Sequence, residues 1–250
     1  MNPRCKLFIR HGLTWLFLMR LLVNPAVGAE VADFTRGQQA YDRQDFPAAV
    51  RSFAIAVSNA PSAGAYRNLG NAAWQGSDVA KALLAWERAA WIDPRDPDVR
   101  NNLQFAREIA QLEAPDLTWG EIASTWLPVD WWAWLACGSL WFAVSLAVLP
   151  AVFRLRKSGW QQAFMAIGLG IFLLSLPANY GAVTRTNLGL MLSAETPLRL
   201  TPTAESEPVT KLAAGEPARV LRSRGKYLLL RTRLATGWVE REQFGRICPE

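Results

Sequence analysis

The chain contains 250 residues, of which 51% are hydrophobic and only 19% are charged, against about 25% charged residues in an average soluble protein. The apolar residues concentrate in two blocks without charge, residues 131–153 and 158–184. This composition excludes a disordered, highly charged protein and a small disulfide-rich module, and it disfavours an entirely soluble enzyme.

The formal net charge of +6 is distributed unevenly along the chain. Residues 1–29 carry basic but no acidic side chains. The formal net charge is −3 for residues 30–118 and +3 for residues 190–250. Another basic run, at residues 154–157, separates the two apolar blocks. Because positive charge beside apolar segments is typical of membrane insertion, we predict no nucleic-acid partner.

Residues 1–29 have the parts of a secretory signal peptide in the usual order. A basic start precedes an apolar stretch that is too short to span a bilayer, and Val27, Gly28 and Ala29 match a cleavage site. Cleavage would also remove His11, which is the only histidine of the chain. The alternative is an uncleaved helix that lies in the membrane interface.

The two apolar blocks predict a pair of transmembrane helices, at residues 131–153 and 160–184. Each block is long enough, because about 20 helical residues cross the hydrocarbon core. The alternative, two buried core helices of a soluble protein, would need more surrounding chain than is present. Under the positive-inside rule the connecting loop, residues 154–159, is cytoplasmic. We therefore expect a multi-pass protein of the bacterial inner membrane, with both flanking regions on the periplasmic side.

A repeat with an offset of 33 residues runs through residues 34–94. It pairs glycine with glycine, aromatic with aromatic and proline with proline, at Gly37/Gly70, Phe53/Trp86 and Pro61/Pro94. Small residues let two helices touch closely, aromatic rings fill the gap, and proline follows the second helix. The spacing predicts helices at residues 33–44, 47–59, 63–76 and 79–91, and a capping helix at 97–112.

The repeat resembles the tetratricopeptide repeat (TPR), and this resemblance implies an α-helical TPR solenoid over residues 30–113. Such a solenoid binds peptides along its concave face. By position in the repeat, that face presents eight candidate residues: Phe34, Gln38, Tyr41, Arg67, Asn71, Trp74, Asn101 and Phe105. The resemblance to a peptide-binding clamp adds Asn102 to them. Among them, Arg67, Asn71 and Asn102 fall at the spacings of carboxylate-clamp TPR domains, which grip a peptide C-terminus. A solvated groove wall is the alternative for these side chains.

Residues 190–250 consist of short alternating runs separated by turn residues, and they predict about five strands. The segments LRLTPT, LAAGEPARVL, GKYLLLRT and GWV resemble the bacterial SH3-type domain (SH3b). The resemblance implies an all-β SH3-like barrel that binds cell-wall peptides or protein segments. Tyr227 and Trp238 are the aromatic candidates for its groove, with the barrel core as the favoured position of Trp238.

The sequence contains no recognisable catalytic motif. No imidazole remains after cleavage of the signal, the cysteines lack metal-binding spacing, and no glycine-rich phosphate motif is present. We therefore predict that the protein is not an enzyme, with no catalytic residues, no metal site and no cofactor.

A linker at residues 114–130 joins the TPR region to the two predicted transmembrane helices, which form a hairpin. This order of parts resembles that of BatE, the TPR-containing member of the Bacteroides-aerotolerance (Bat) group. The segment DPRDPDVRNNLQFARE and the C-terminal motifs carry this likeness. The resemblance implies protein partners among membrane-anchored von Willebrand A-type Bat proteins. These would act with a cytoplasmic MoxR-type AAA+ ATPase in envelope assembly or oxidative-stress tolerance.

We therefore predict a multidomain envelope scaffold, with an α-helical TPR solenoid, a two-helix transmembrane hairpin and an all-β SH3-like barrel. It would bind protein partners through the TPR and SH3-like domains and contact membrane lipid through the hairpin. The alternatives are a peptidoglycan-binding sensor and an assembly factor for another membrane complex.

Overall fold

A computed structural model of the chain describes residues 25–153 and 158–249. The predicted signal peptide, residues 1–29, lies mainly outside the described residues, and so does the basic run at 154–157, so both remain predictions. By its internal contacts the chain divides into two compact units, with the boundary between Ala60 and Pro61.

The first unit contains a helical hairpin formed by α1, Pro25–Asp42, and α2, Phe46–Asn59. The carboxylate of Asp45 caps α2 by accepting a hydrogen bond of 3.0 Å from a backbone N–H of the first turn. Gly37 lies against the ring of Phe53, and an added Cβ would approach the ring atoms to 2.7 Å. The close approach of the two helices therefore requires glycine at this position.

The second unit begins with a hairpin built in the same way, from α3, Ala63–Gln75, and α4, Val79–Ile92. Gly70 lies against the indole of Trp86, as the repeat predicts. A third helix, α5, Pro97–Ala110, follows. The predicted ends of α2 to α5 are confirmed to within two residues, whereas α1 begins eight residues before the predicted position.

Two long apolar helices follow a short helix, α6, Trp119–Ser124, which lies in the segment predicted as a linker. They are α7, Val129–Val152, and α8, Gly159–Arg185. The Asn179 side chain donates a hydrogen bond to the carbonyl oxygen of Trp132 at 3.2 Å, so the end of α8 lies beside the start of α7. The two helices therefore run antiparallel.

Both helices are long and apolar enough to cross a membrane, and only 17% of an apolar stretch of 18 residues in each helix is buried. Large apolar side chains such as Trp141 and Leu174 are 70% and 80% exposed. Core helices of a soluble protein would instead be mostly buried. The pair therefore differs from core helices of a soluble protein and could span a membrane.

The C-terminal region forms a seven-stranded antiparallel sheet, two strands more than predicted. The strands are β1 Leu188–Met191, β2 Thr196–Arg199, β3 Pro208–Leu212, β4 Pro217–Arg224, β5 Tyr227–Arg231, β6 Thr236–Glu240 and β7 Phe244–Arg246. Their order across the sheet is β3-β2-β6-β5-β4-β1-β7. The sheet is open, because its edge strands β3 and β7 do not pair with each other in the described part of the chain. A closed SH3-like barrel is therefore not confirmed.

The sheet packs against the second helical hairpin, within the same unit. Leu84 on α4 lies directly over Gly245, where an added Cβ would overlap the leucine side chain. Arg88, one turn further along α4, donates a hydrogen bond from Nε to the carbonyl oxygen of Arg246 at 3.1 Å. The second repeat and the sheet are therefore one compact body.

Candidate functional site

Three of the predicted groove residues, Arg67, Asn71 and Trp74, lie on one face of α3, as their spacing of four and three residues predicts. Arg67 Nη1 lies 2.8 Å from Asp96 Oδ2 and 3.3 Å from Asp98 Oδ2. Both carboxylates come from the start of α5. The guanidinium that a carboxylate clamp would offer to a peptide is thus already paired within the chain.

Asn71 joins α3 to both neighbouring helices. Its Oδ1 accepts hydrogen bonds from Trp86 Nε1 on α4 and from Asn102 Nδ2 on α5, each at 3.0 Å. Trp86 is only 2% exposed, so its indole N–H depends on this acceptor. The predicted pair Asn71 and Asn102 is therefore brought together, and its hydrogen bonds hold the repeat in shape.

Asn71→Ala is expected to lower the free energy of unfolding by about 1–3 kcal/mol, because it leaves the buried indole N–H of Trp86 without an acceptor. Asn101→Ala is the matched control, since Asn101 is exposed on the neighbouring helix, and we expect a change within about 0.5 kcal/mol. Thermal or chemical unfolding of the full chain in detergent measures both. Equal losses for the two variants would contradict the role given to Asn71.

An aromatic surface adjoins this network. The ring centroid of Trp74 lies 5.9 Å from those of both Trp86 and Phe105. Phe105 is 54% exposed, and Ile109, one turn further along α5, is 58% exposed. We call Phe105 and Ile109 the α5 ledge. Ile109 was not among the predicted groove residues, although its spacing of four residues from Phe105 places both on one helix face.

The remaining predicted groove residues are Phe34, Gln38, Tyr41 and Asn101. The ring of Phe34 packs edge-on against Phe53 with a centroid distance of 5.6 Å. Gln38 is exposed on α1 of the first unit, and Tyr41 packs edge-on against Phe46 with a centroid distance of 5.6 Å. Asn101 is exposed on α5.

The two aromatic candidates of the sheet differ in exposure. Tyr227 is only 6% exposed, its hydroxyl donates to Glu240 Oε1 at 3.4 Å, and Lys226 Nζ lies 5.4 Å from its ring centroid. Trp238, on β6, is half-buried. The ring that offers more surface to a ligand is therefore Trp238, for which the sequence favoured a core position.

A buried ion pair, which the sequence analysis did not predict, joins α6 to the sheet. Glu121 is completely buried, and Arg219 of β4 donates to its two carboxylate oxygens at 2.7 and 2.8 Å. The backbone N–H of Thr118 donates to Oε2 at 2.8 Å. Burial raises the pKa of the Glu121 carboxyl, but these hydrogen bonds outweigh burial and lower the pKa to about 2.

Two further charged groups lie close to this pair. Arg185, the last residue of α8, donates to Ser124 Oγ at 3.0 Å, and its guanidinium lies 4.8 Å from the centroid of the Trp91 ring. Glu87 of α4 forms an ion pair with Arg107 of α5. Burial raises the pKa of Glu87, and the charge of Arg107 opposes this shift. We call Glu121, Arg219, Ser124 and Arg185 the junction cluster, because they connect the helices to the sheet.

The comparison with known protein families bears on the helical region. Residues 34–98 match the tetratricopeptide repeat. The matched span covers α2 to α4 and parts of α1 and α5, so the predicted TPR region is confirmed here. No match was found among curated proteins. The TPR is a non-catalytic module of protein–protein interaction. Within residues 25–153 and 158–249, no three His, Cys, Asp or Glu side chains form a group that could hold a metal ion.

Proposed function

We propose that the protein is a BatE-like adaptor of the bacterial envelope, anchored in the inner membrane by α7 and α8. Its repeats would bind a segment of a membrane-anchored partner, such as a von Willebrand A-type Bat protein, in envelope assembly or oxidative-stress tolerance. The observation that carries the proposal is the junction cluster, because it joins the second repeat and the sheet to the end of an exposed apolar hairpin.

The α5 ledge is the proposed contact surface for the partner segment. Phe105, beside the half-buried ring of Trp74, and Ile109, one turn further along α5, are exposed apolar side chains that suit a partner presenting an apolar side chain. Arg67 is engaged by Asp96 and Asp98, so the C-terminal carboxylate of a peptide would have to displace them. Packing on the ledge is therefore favoured over a carboxylate clamp as the mode of binding.

The antiparallel hairpin supports one location for both soluble parts. Because the start of α7 lies beside the end of α8, the repeats before the hairpin and the sheet after it emerge at the same end. With a cleaved signal and a cytoplasmic basic loop, that end would be periplasmic.

A photoreactive amino acid in place of Phe105 tests the partner proposal. We expect crosslinks in intact membranes to a membrane-anchored protein, identified by mass spectrometry, and fewer crosslinks from Gln104, an exposed neighbour on the same helix. The α5 ledge would be rejected as the contact surface if both positions gave the same products. Recovery of cell-wall glycan through the sheet, lost in Trp238→Ala, would favour the peptidoglycan-binding alternative.

Cys137 provides a test of membrane insertion. It is exposed on α7, and it follows the start of the helix by about 12 Å at 1.5 Å per residue, which places it inside the hydrocarbon core of a bilayer. In a chain with Cys5→Ser and Cys248→Ser, we expect a membrane-impermeant maleimide to label Cys137 only after denaturation.

The control for this labelling is Leu234→Cys in the same background, because Leu234 is 74% exposed between β5 and β6. We expect this cysteine to be labelled from the periplasmic side of intact cells. Rapid labelling of Cys137 in intact membranes would refute insertion of α7.

A further inference from the structure

A small cavity, lined by both apolar and charged side chains, lies where α4, α5 and the end of α8 meet the sheet. Its volume is about 220 Å³. Four charged side chains line it: Glu87, Arg100, Arg107 and Arg185. Since Glu87 and Arg107 form an ion pair, the two other arginines leave the cavity with an excess of positive charge.

Arg185 is the buried member of this set, with 7% exposure. A guanidinium has five N–H donors, yet among the described residues Arg185 donates one hydrogen bond, to the neutral Ser124 hydroxyl, and rests on the Trp91 ring. No described carboxylate lies within ion-pair distance of Arg185, and the charges of Glu87 and Glu121 act on it from further away. A buried charge that is incompletely paired is costly unless another group completes its hydrogen bonds. The cavity is the space from which such a group can reach it.

Arg100 stands at the exposed rim of the same cavity and has no ion pair within residues 25–153 and 158–249. A larger cavity, of about 400 Å³, lies between residues 111–116 and the sheet. Three arginines line it: Arg219 and Arg233 are paired with Glu121 and Glu113, and Arg231 is exposed. Of these two cavities, the smaller therefore combines a buried and a rim arginine that have no carboxylate at ion-pair distance among the described residues.

We infer that the smaller cavity binds a phosphate group, carried by the headgroup of an anionic phospholipid or by a free phosphate compound. Planar guanidinium groups match the oxygens of phosphate with paired hydrogen bonds, so a phosphate group suits a site lined by arginine. Arg185 is the last residue of α8, so the cavity lies beside the end of the apolar hairpin. In the proposed membrane anchoring, this end lies at the level of the lipid headgroups. Binding of a lipid headgroup depends on the proposed membrane anchoring, whereas binding of a free phosphate compound does not.

The test uses the full chain in neutral detergent and two probes. In the first arm, inorganic phosphate is compared with chloride at equal ionic strength by its effect on the unfolding temperature. In the second arm, native mass spectrometry compares phosphatidylglycerol with phosphatidylcholine, offered in equal amounts, for the number of bound lipids. A response to phosphate identifies a free phosphate source, and a preference for phosphatidylglycerol alone identifies a headgroup.

Arg100→Gln is the diagnostic variant, because Arg100 is exposed and the change should leave the fold intact. Loss of one charge-assisted hydrogen bond predicts about tenfold weaker binding of the responding probe. Arg185→Lys, which keeps the charge but loses the planar fork, should weaken binding similarly. Arg95→Gln is the matched control, since Arg95 is exposed near the start of α5 and does not line the cavity.

The site is overturned if neither probe binds to the wild-type chain, or if Arg100→Gln and Arg95→Gln bind the probe equally well. Labelling of Cys137 decides membrane insertion separately. A failed phosphate site is therefore distinguishable from a failed membrane anchor.

Discussion

Glu121→Gln is expected to lower the free energy of unfolding by about 3 kcal/mol, because it removes the charge that Arg219 requires at the junction of α6 and the sheet. Glu121 is completely buried, and both its carboxylate oxygens accept hydrogen bonds from Arg219. Without that charge, the guanidinium keeps its desolvation cost and loses its counter-ion. Unfolding of the full chain in detergent, followed by near-ultraviolet circular dichroism, measures the loss.

Glu195→Gln is the matched control for this substitution. Glu195 also pairs with a basic residue, Lys211, but both side chains are mostly exposed. An exposed pair contributes between about 0 and 1 kcal/mol, so the control should remain close to the wild type. A loss as large as that of Glu121→Gln would show that burial does not explain the effect.

The pH dependence of stability gives a second readout for Glu121. Its pKa in the folded protein is about 2, below the ordinary value of 4.5, so the folded state favours the ionised carboxylate. The resulting stabilisation is fully present above pH 4.5 and is lost as the pH falls toward 2. We expect the unfolding temperature of the wild type to fall in this range, and the contribution of Glu121 to be absent in Glu121→Gln.

Gly181→Ala is expected to destabilise the protein by about 3 kcal/mol or more, because α6 and α8 touch through their backbones at this point. An added Cβ at Gly181 would overlap the carbonyl oxygen of Gly120. A backbone atom cannot rotate away as a side chain can, so one helix must shift. Overpacking of a core commonly costs about 1–3 kcal/mol, and a rigid obstacle places this substitution at the upper end.

Gly170→Ala, in the same helix, provides the control. A Cβ at Gly170 would meet nothing within 4 Å. Alanine is also the better helix former, by about 0.5–1 kcal/mol, so we expect no loss of stability. The backbone contact would be refuted if both alanine variants unfolded at the same temperature.

Local sequence patterns predicted the helices because their causes are local. The repeated glycine and aromatic positions, such as Gly70 and Trp86, determine where two helices can touch. The long uncharged runs predict α7 and α8 by length alone. The start of α6, in the segment predicted as a linker, has a capping motif that was not used: Thr118 is followed after three residues by Glu121.

The missed strands show where such patterns stop being informative. All four residues of β1 are buried, so the strand lacks the alternation of a half-exposed strand. Strand β7 contains only three residues. Strand β1 is defined by its pairing with β4 and β7, and β7 by its pairing with β1, and no local window of sequence contains these partners.

The sequence by itself determined the order of parts: a TPR region, two apolar helices and a C-terminal β region, because periodicity, length and turn residues act over short distances. The tertiary structure alone decided how those parts are joined. Arg219 reaches a carboxylate 98 positions away, and Arg185 of α8 lies against Trp91 of α4. The tertiary structure also decided that Arg67 forms an ion pair with Asp96. The physical reason is that an ion pair depends on distance and burial in space, and separation along the chain determines neither.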